Sequence, residues 1–378
     1  MTESDYHKFM AEECFFNIKT CLYPVSFLYG MGVYLRNKLF DWKVFHSKIY
    51  NIPIICIGNL AVGGTGKTPH TEYLIELLRN EFGVAVLSRG YKRKTKGYIL
   101  ADAESNAQSI GDEPYQIKKK YPEICVAVDE NRRHGIEKLV CLEQFSIDVI
   151  LLDDAFQHRY VQSGISILLT DYHRLFCDDV LLPVGYLREP VSGKKRAEIV
   201  IVTKCPKYLS SIDCDVITKR LKIFPYQQLY FSVFDYGDLI PVFPNVQTVG
   251  KRKLEDVTED ESILLVTGIA SPVAIIEVLK SHTQNINTLS FADHHDFSEP
   301  DIALIEKRFI GGVGKRIVVT TEKDAVRLIC HPEMADEVKK HFFVLPIKIK
   351  FLKEQQNIFN EKITNYVRKN KTPLINLL

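Results

Sequence analysis

The sequence is short of several things, and each shortage narrows its class. It has no C-x-x-C pair: its nine cysteines, at 14, 21, 56, 125, 141, 177, 205, 214 and 330, are an odd and scattered set. That usage excludes a disulfide frame or a paired-cysteine zinc site and fits buried thiols in a reducing compartment. It has no excess of one charge. With 49 Lys and Arg against 47 Asp and Glu, the net +2 is too balanced to predict a nucleic-acid partner, and any basic partner surface must be local. Its first 20 residues do not read as a secretory leader, because they mix Glu3, Asp5, Lys8, Glu12, Glu13 and Lys19 without an apolar stretch. The uncharged run Thr20–Leu35 spans 16 residues and holds Pro24, Ser26, Gly30 and Gly32. A spanning helix needs roughly 20 apolar residues, so the chain is not expected to cross a bilayer. Repeats and low-complexity segments are also lacking.

What remains is the composition of a globular protein. Hydrophobic residues make up 46% of 378, enough for a sizeable core and for two domains. Between Pro24 and about Ile49 the pattern is helical, with Leu28, Met31, Leu35, Leu39 and Trp42 at spacings of three and four. Phe27, Tyr29, Tyr34 and Phe40 widen the apolar face, and Arg36, Lys38, Lys43, His46 and Lys48 stand against the single acid Asp41. Amphipathic, aromatic and basic together, this segment reads as a helix in a membrane interface, or else as one packed on the protein's own core.

From Ile52 the pattern changes to short Val/Ile/Leu runs alternating with helical stretches. Ile54–Ile57, Val84–Leu87, Ile124–Val128, Val149–Leu152, Ile165–Leu169 and Ile199–Val202 have the continuous apolar character of parallel strands buried on both faces. Pro69–Arg79, Glu113–Lys120 and Arg132–Glu143 read as the intervening helices. The alternation predicts an α/β, doubly wound, mostly parallel sheet with ligands at the carboxyl ends of its strands. After an irregular stretch, Leu264–Thr267, Thr288–Phe291, Ile317–Thr320 and Phe342–Ile349 predict a second, smaller α/β domain, with helices near Pro272–Lys280 and Pro300–Arg308. The expected division is an N-terminal helical segment 1–50, a core domain 51–225 and a C-terminal domain 226–378.

The strongest local signal is Gly58-Asn59-Leu60-Ala61-Val62-Gly63-Gly64-Thr65-Gly66-Lys67-Thr68, between a predicted strand and a predicted helix. Its glycines let the backbone curl until several N–H groups point at one anion, and the helix beginning near Thr68 adds its positive end. Ala61 through Thr68 would thus bind nucleotide phosphates, with Lys67 reaching the β- and γ-phosphates and the Thr68 hydroxyl available to Mg2+. Ala61 stands where the generic pattern has glycine, which requires a negative φ there. The run Val149–Leu152 then delivers two carboxylates, Asp153 and Asp154, at a strand end, where a P-loop needs acid for its metal. Phe156 replaces the glycine of the switch-GTPase D-x-x-G pattern, and Thr203-Lys204-Cys205-Pro206 lacks the aspartate that reads guanine, so ATP is favoured.

Ordered matches along most of the chain resemble the tetraacyldisaccharide 4′-kinase family, which belongs to the P-loop superfamily. They include Pro24–Gly30, the phosphate loop, Leu87-Ser88-Arg89-Gly90-Tyr91, Gly111-Asp112-Glu113-Pro114 and Val128–Arg132. Further on are Asp153–Arg159, Leu181–Pro190, Gly268-Ile269-Ala270, Asp293-His294-His295-Asp296-Phe297 and Thr320–Ala325. The resemblance implies transfer of the ATP γ-phosphate to the 4′-hydroxyl of an acylated glucosamine disaccharide 1-phosphate. It also implies a peripheral enzyme on the cytoplasmic face of a Gram-negative inner membrane. By the same resemblance Asp112 is the base and His294 its partner, although from the residues alone Asp112 is equally a helix N-cap. Arg188 and Glu189 are implied to line the site, Arg188 on phosphate and Glu189 near metal or substrate. Arg89, Tyr91, Gln157 and His158 are further substrate candidates. The competing readings are a P-loop kinase of another small molecule and a nucleotide-switched ATPase; oligomeric state is not readable.

Overall fold

In the computed structural model the described residues are 3–247, 250–269, 272–293, 295–312 and 314–371, with backbone only for residues 3–19. The chain opens with helix α1 (Glu3–Asp41), strand β1 (Ile54–Asn59), helix α2 (Lys67–Leu78) and strand β2 (Val84–Ser88). It continues through β3 (Ile99–Leu100), α3 (Ala107–Ile110), α4 (Asp112–Lys120), β4 (Cys125–Val128), α5 (Arg132–Val140), β5 (Val149–Leu152), β6 (Ile165–Asp171) and β7 (Ile199–Thr203). Next come α6 (Ser211–Leu221), β8 (Gln228–Tyr236), β9 (Ile240–Pro241), β10 (Ser262–Thr267), α7 (Val273–Lys280), β11 (Ile286–Ser290) and α8 (Glu299–Ile310). The last stretch holds β12 (Arg316–Thr321), α9 (Glu322–Leu328), α10 (Asp336–Lys339), β13 (Phe342–Leu345), β14 (Ile347–Phe351) and α11 (Gln355–Asn370).

The chain forms two compact units that interleave: residues 1–71, 148–233 and 351–378 make one, and 72–147 with 234–350 the other. Cuts at 50 and 225 assume contiguous stretches, whereas the chain leaves the first unit after Thr71 and returns at Asp148. In the first unit the strand order is β8-β7-β6-β1-β5. Strand β1 lies between β5 and β6, parallel to both, with Cys56 opposite Leu152. Every residue of β1, β5 and β7 is buried, which is why their sequences are continuous apolar runs rather than alternating ones. One core holds Leu60, Phe156, Leu168, Leu187, Val200 and Phe231 together.

The second unit pairs β2 with β4 in parallel, with β3 antiparallel on β4. It also holds a separate sheet, β11-β10-β12-β13-β9, parallel except at β9. The fold is therefore α/β with mostly parallel sheets, as the pattern predicts.

Two expectations about element bounds need correcting. The N-terminal helix does not begin at Pro24 or continue to Ile49; it runs Glu3–Asp41 with Pro24 inside. It stops because Lys43 takes a left-handed φ of 59°, and the Lys43 and Val44 amides donate to the Phe40 and Leu39 carbonyls. That is the hydrogen-bond pattern of a Schellman stop, with lysine where glycine is usual, so the stop carries no glycine signal. The stretch Phe342–Ile349 is two strands, because Pro346 has no N–H to donate to a ladder.

Gly58 is where close approach decides the geometry. A Cβ on it would lie 2.7 Å from the Phe156 Cβ and 3.0 Å from the Phe156 backbone N. Gly58→Ala should destabilise the chain by about 1–3 kcal/mol, through overpacking against backbone. The check is urea unfolding; an unchanged midpoint would show that the contact has slack.

Candidate active site

The phosphate loop leaves the end of β1 and is held from three directions. Asn59 donates to the Thr65 hydroxyl at 2.8 Å, Thr203 of β7 donates to the Thr65 carbonyl at 3.0 Å, and Thr65 N–H donates to the Gly63 carbonyl at 3.0 Å. Gly63 and Gly66 take φ of 108° and 83°, a region that favours glycine, which accounts for those two positions. Ala61 instead bridges Leu187 in antiparallel fashion, an extended conformation that a Cβ tolerates. Helix α2 starts at Lys67, so its first N–H groups have no partner within the helix and form an anion site with the loop.

His70, one turn into α2, was not anticipated from the sequence. It is buried, with Nδ1 2.7 Å from the Gly66 carbonyl and Nε2 3.0 Å from the Ser232 hydroxyl. A carbonyl only accepts, so Nδ1 carries the hydrogen and Nε2 accepts from Ser232. Burial pulls this imidazole down to about 4, against the Gly66 carbonyl, which favours protonation. His70 is thus a neutral bolt between the phosphate loop and β8.

The acidic strand end arrives beside the loop because β5 runs parallel to β1 in register. Asp153 is fully buried and accepts from the Thr71 hydroxyl at 3.0 Å. Asp154 sits at a left-handed φ of 45° on the turn that follows. Both its oxygens lie 3.1 Å from Arg188 Nη1, and Lys67 Nζ lies 3.8 Å from Oδ1. Two cations therefore converge on one carboxylate beside the loop. The segment bearing Arg188 is stitched to the loop's own backbone, through Arg188 N–H to the Leu60 carbonyl at 2.7 Å and Val62 N–H to the Tyr186 carbonyl at 2.8 Å.

Glu189 and Gln157 also meet. Glu189 is buried and accepts from Arg196 at 2.7 Å, Gln157 at 3.0 Å and Asn37 at 3.3 Å, so its carboxylate is committed to an internal network. Gln157 donates in addition to the Asn59 carbonyl at 2.8 Å. His158 is half-buried on the same turn. Among the described residues no group of three His, Cys, Asp or Glu is placed to hold a metal by itself. The hard oxygen donors of Thr68, Asp153 and Asp154 do fit Mg2+, which characteristically takes one or two carboxylates and completes its shell with phosphate and water.

Asp112, Arg89 and Tyr91 belong to the second unit. Gly111 is the N-cap of α4, so Asp112 is the first helical residue and the capping alternative is set aside. Its carboxylate pairs with Arg327 of α9. Arg327 is buried and is held by Asp324 at 3.5 Å and by the His295 carbonyl at 3.2 Å. Asp324 in turn accepts from Gly268 N–H at 2.9 Å and from the Thr321 hydroxyl at 2.7 Å. Arg327, 215 positions from Asp112, was not anticipated. Arg89 and Tyr91 follow β2 and are exposed. His294 lies outside the described residues.

A mostly parallel α/β sheet with a glycine loop between β1 and α2, and carboxylates at the neighbouring strand end, defines the P-loop class of nucleoside-triphosphate enzymes. Within that class the chain belongs to the tetraacyldisaccharide-1-P 4′-kinase family, whose model matches residues 18–368. It is similar to the tetraacyldisaccharide 4′-kinase of Bacteroides fragilis, 62% identical over 361 residues, covering 95% of this chain and 96% of that protein. The enzyme of the same name from Bacteroides thetaiotaomicron is 59% identical over 365 residues, with coverage of 95% and 96%. A crystal structure of LpxK from Aquifex aeolicus in complex with ATP superposes with a TM-score of 0.70 at 28% identity, covering 93% of this chain and 99% of that one.

The neutral His70 gives a pH test. The unfolded chain takes up this proton near 6.5 and the folded chain only near 4, so His70's contribution is fully present above pH 6.5 and is lost as pH falls through that window. The loss is on the order of 3 kcal/mol across it. Wild-type urea midpoints should therefore fall more steeply between pH 6.5 and 4 than those of His70→Asn. Parallel slopes would remove His70 as the cause.

Proposed function

We propose that this chain transfers the γ-phosphoryl group of ATP to the 4′-hydroxyl of an acylated glucosamine disaccharide 1-phosphate, in lipid A biosynthesis. Family membership supports the reaction, and the observation that carries the mechanism is the meeting of Lys67 and Arg188 at Asp154 beside the phosphate loop. Backbone amides among residues 63–68, other than that of Thr65, cradle the phosphates. Lys67 and Arg188 exchange their contacts with Asp154 for phosphate oxygens, neutralising the charge that builds on the transferring group. Thr68, Asp153 and Asp154 would hold Mg2+, which when bound supplies a further positive charge to the same phosphates. Glu189 acts one step back, fixing Gln157 and the Arg188 segment.

A sugar hydroxyl is a weak acid, so a base is needed as its oxygen bonds to the γ-phosphorus and the bond from that phosphorus to the leaving oxygen of ADP breaks. Asp112 takes up the hydroxyl proton. Arg327 orients its carboxylate, and His294 is assigned as its partner by the family resemblance. Arg89, Tyr91, Gln157 and His158 are assigned to the acceptor.

Reaction at a membrane surface is supported by α1, whose Phe27 (71%), Leu28 (61%), Met31 (54%) and Leu35 (54%) are exposed, with Arg36 and Lys38 on the same helix. No helix among the described residues is long and apolar enough to cross a membrane. The surface is the cytoplasmic face of a Gram-negative inner membrane, following the family resemblance.

The test supplies purified protein with γ-labelled ATP, Mg2+ and either the acylated disaccharide 1-phosphate or its de-acylated form. Label should appear on the acylated acceptor; label confined to soluble sugars rejects the lipid assignment. Asp112→Asn should lose turnover about a hundredfold or more with nucleotide affinity intact, and normal turnover would remove it as base. Replacing Phe27, Leu28 and Leu35 together by serine should release the protein from vesicles, and retained binding would dismiss the interfacial role of α1.

A further inference from the structure

Helix α1 turns large apolar side chains outward, unlike an ordinary surface helix. From Ser26 to Asn37 its contacts with the protein are made largely by small or polar groups (Ser26, Gly30, Asn37 and the Tyr29 hydroxyl), ahead of the buried Phe40, while its outward stripe is large and apolar. The inward stripe does more than fill space. Ser26 donates to the Leu181 carbonyl at 2.9 Å, and a Cβ on Gly30 would lie 2.6 Å from Leu181 Cδ1, so helix and loop touch closely. The Tyr29 hydroxyl donates to the Arg188 carbonyl at 2.6 Å, and Asn37 donates to Glu189 Oε2 at 3.3 Å. Arg36 donates to the Gln157 carbonyl at 3.0 Å. Every one of these acceptors lies on the two segments that carry Gln157 or Arg188 and Glu189. Burial raises the pKa of the Tyr29 hydroxyl against the pull of the Arg188 guanidinium, so the hydroxyl keeps its proton and its role as donor.

We infer that Tyr29 is a positioning residue for phosphoryl transfer: its hydroxyl fixes the main chain of Arg188, and α1, with Asn37 on Glu189, sets where the guanidinium sits. This deepens the proposed kinase function and rests on it. The path is short. From the Tyr29 hydroxyl it crosses one hydrogen bond to the Arg188 backbone, then runs along that side chain to Nη1, 3.1 Å from both Asp154 oxygens, with Lys67 3.8 Å beyond. Phe40, buried against Phe45 and Tyr160, already anchors the end of α1; the turns from Ser26 to Asn37 instead make directional bonds to the segments presenting Gln157, Arg188 and Glu189.

The test is Tyr29→Phe, which keeps the ring and its packing and removes only the hydroxyl. In a mixed-micelle assay with γ-labelled ATP and the acylated disaccharide 1-phosphate, kcat should fall about three- to tenfold, the worth of one hydrogen bond. KM for the acceptor and vesicle co-sedimentation should stay at wild-type values, since the hydroxyl faces inward. Arg188→Lys, which loses the planar fork, should also lower kcat, and adding Tyr29→Phe to it should cost nothing further. A Tyr29→Phe kcat within twofold of wild type, or losses that multiply in the double variant, would overturn the positioning role while leaving the kinase reading intact. A wild type that transfers no phosphate to the acylated acceptor would overturn both.

Discussion

The parallel pairing of β1 with β5 is the constraint on which the phosphate site depends. Because both strands run in the same direction, the loop after β1 and the turn after β5 emerge at one end, and the register that sets Cys56 opposite Leu152 brings Asp153 and Asp154 to the level of the loop. The missing side chain of Gly58 lets the Phe156 turn close against β1, and Ala155 N–H donates to the Ile57 carbonyl at 3.2 Å. Charge placement here is a product of sheet geometry. The loop glycines shape the cup, but the strand pairing decides what faces it.

Each unit also commits a carboxylate to a guanidinium: Asp154 to Arg188 in the first, Asp112 to Arg327 in the second. The two pairs differ in how deeply their cations are fixed. Arg188 is partly exposed and lies beside a second cation, Lys67, an arrangement in which an incoming polyanion competes for both. Arg327 is buried, held also by Asp324, whose own oxygens are tied to Gly268 and Thr321. The first pair is built to exchange partners and the second to hold one orientation.

Much of this architecture could be read from local pattern. Val149–Leu152 is legible at its observed bounds, since four apolar residues ending in two acids leave little ambiguity, and the glycine loop with its flanking strand and helix is equally clear. What local pattern does not carry depends on pairing across long stretches of chain. His70 is an ordinary histidine in an amphipathic helix until Ser232 is brought to it, and Arg327 is one of many cations until α9 lies beside α4. Tyr29 and Asn37 sit inside a segment whose aromatic and apolar character concealed which face was inward. The interleaving of the two units escaped for the same reason, because a linear sequence carries no mark of where the chain will return.

The exposed apolar face of α1 has a consequence for how the molecule behaves before it meets its surroundings. Phe27, Leu28, Met31, Tyr34, Leu35 and Trp42 together present a contiguous greasy flank to water, the kind of surface that drives colloidal self-association. A newly made chain therefore gains by reaching an amphiphile quickly, and preparations free of detergent or lipid should be stickier than a near-neutral mean hydropathy of -0.06 would foretell.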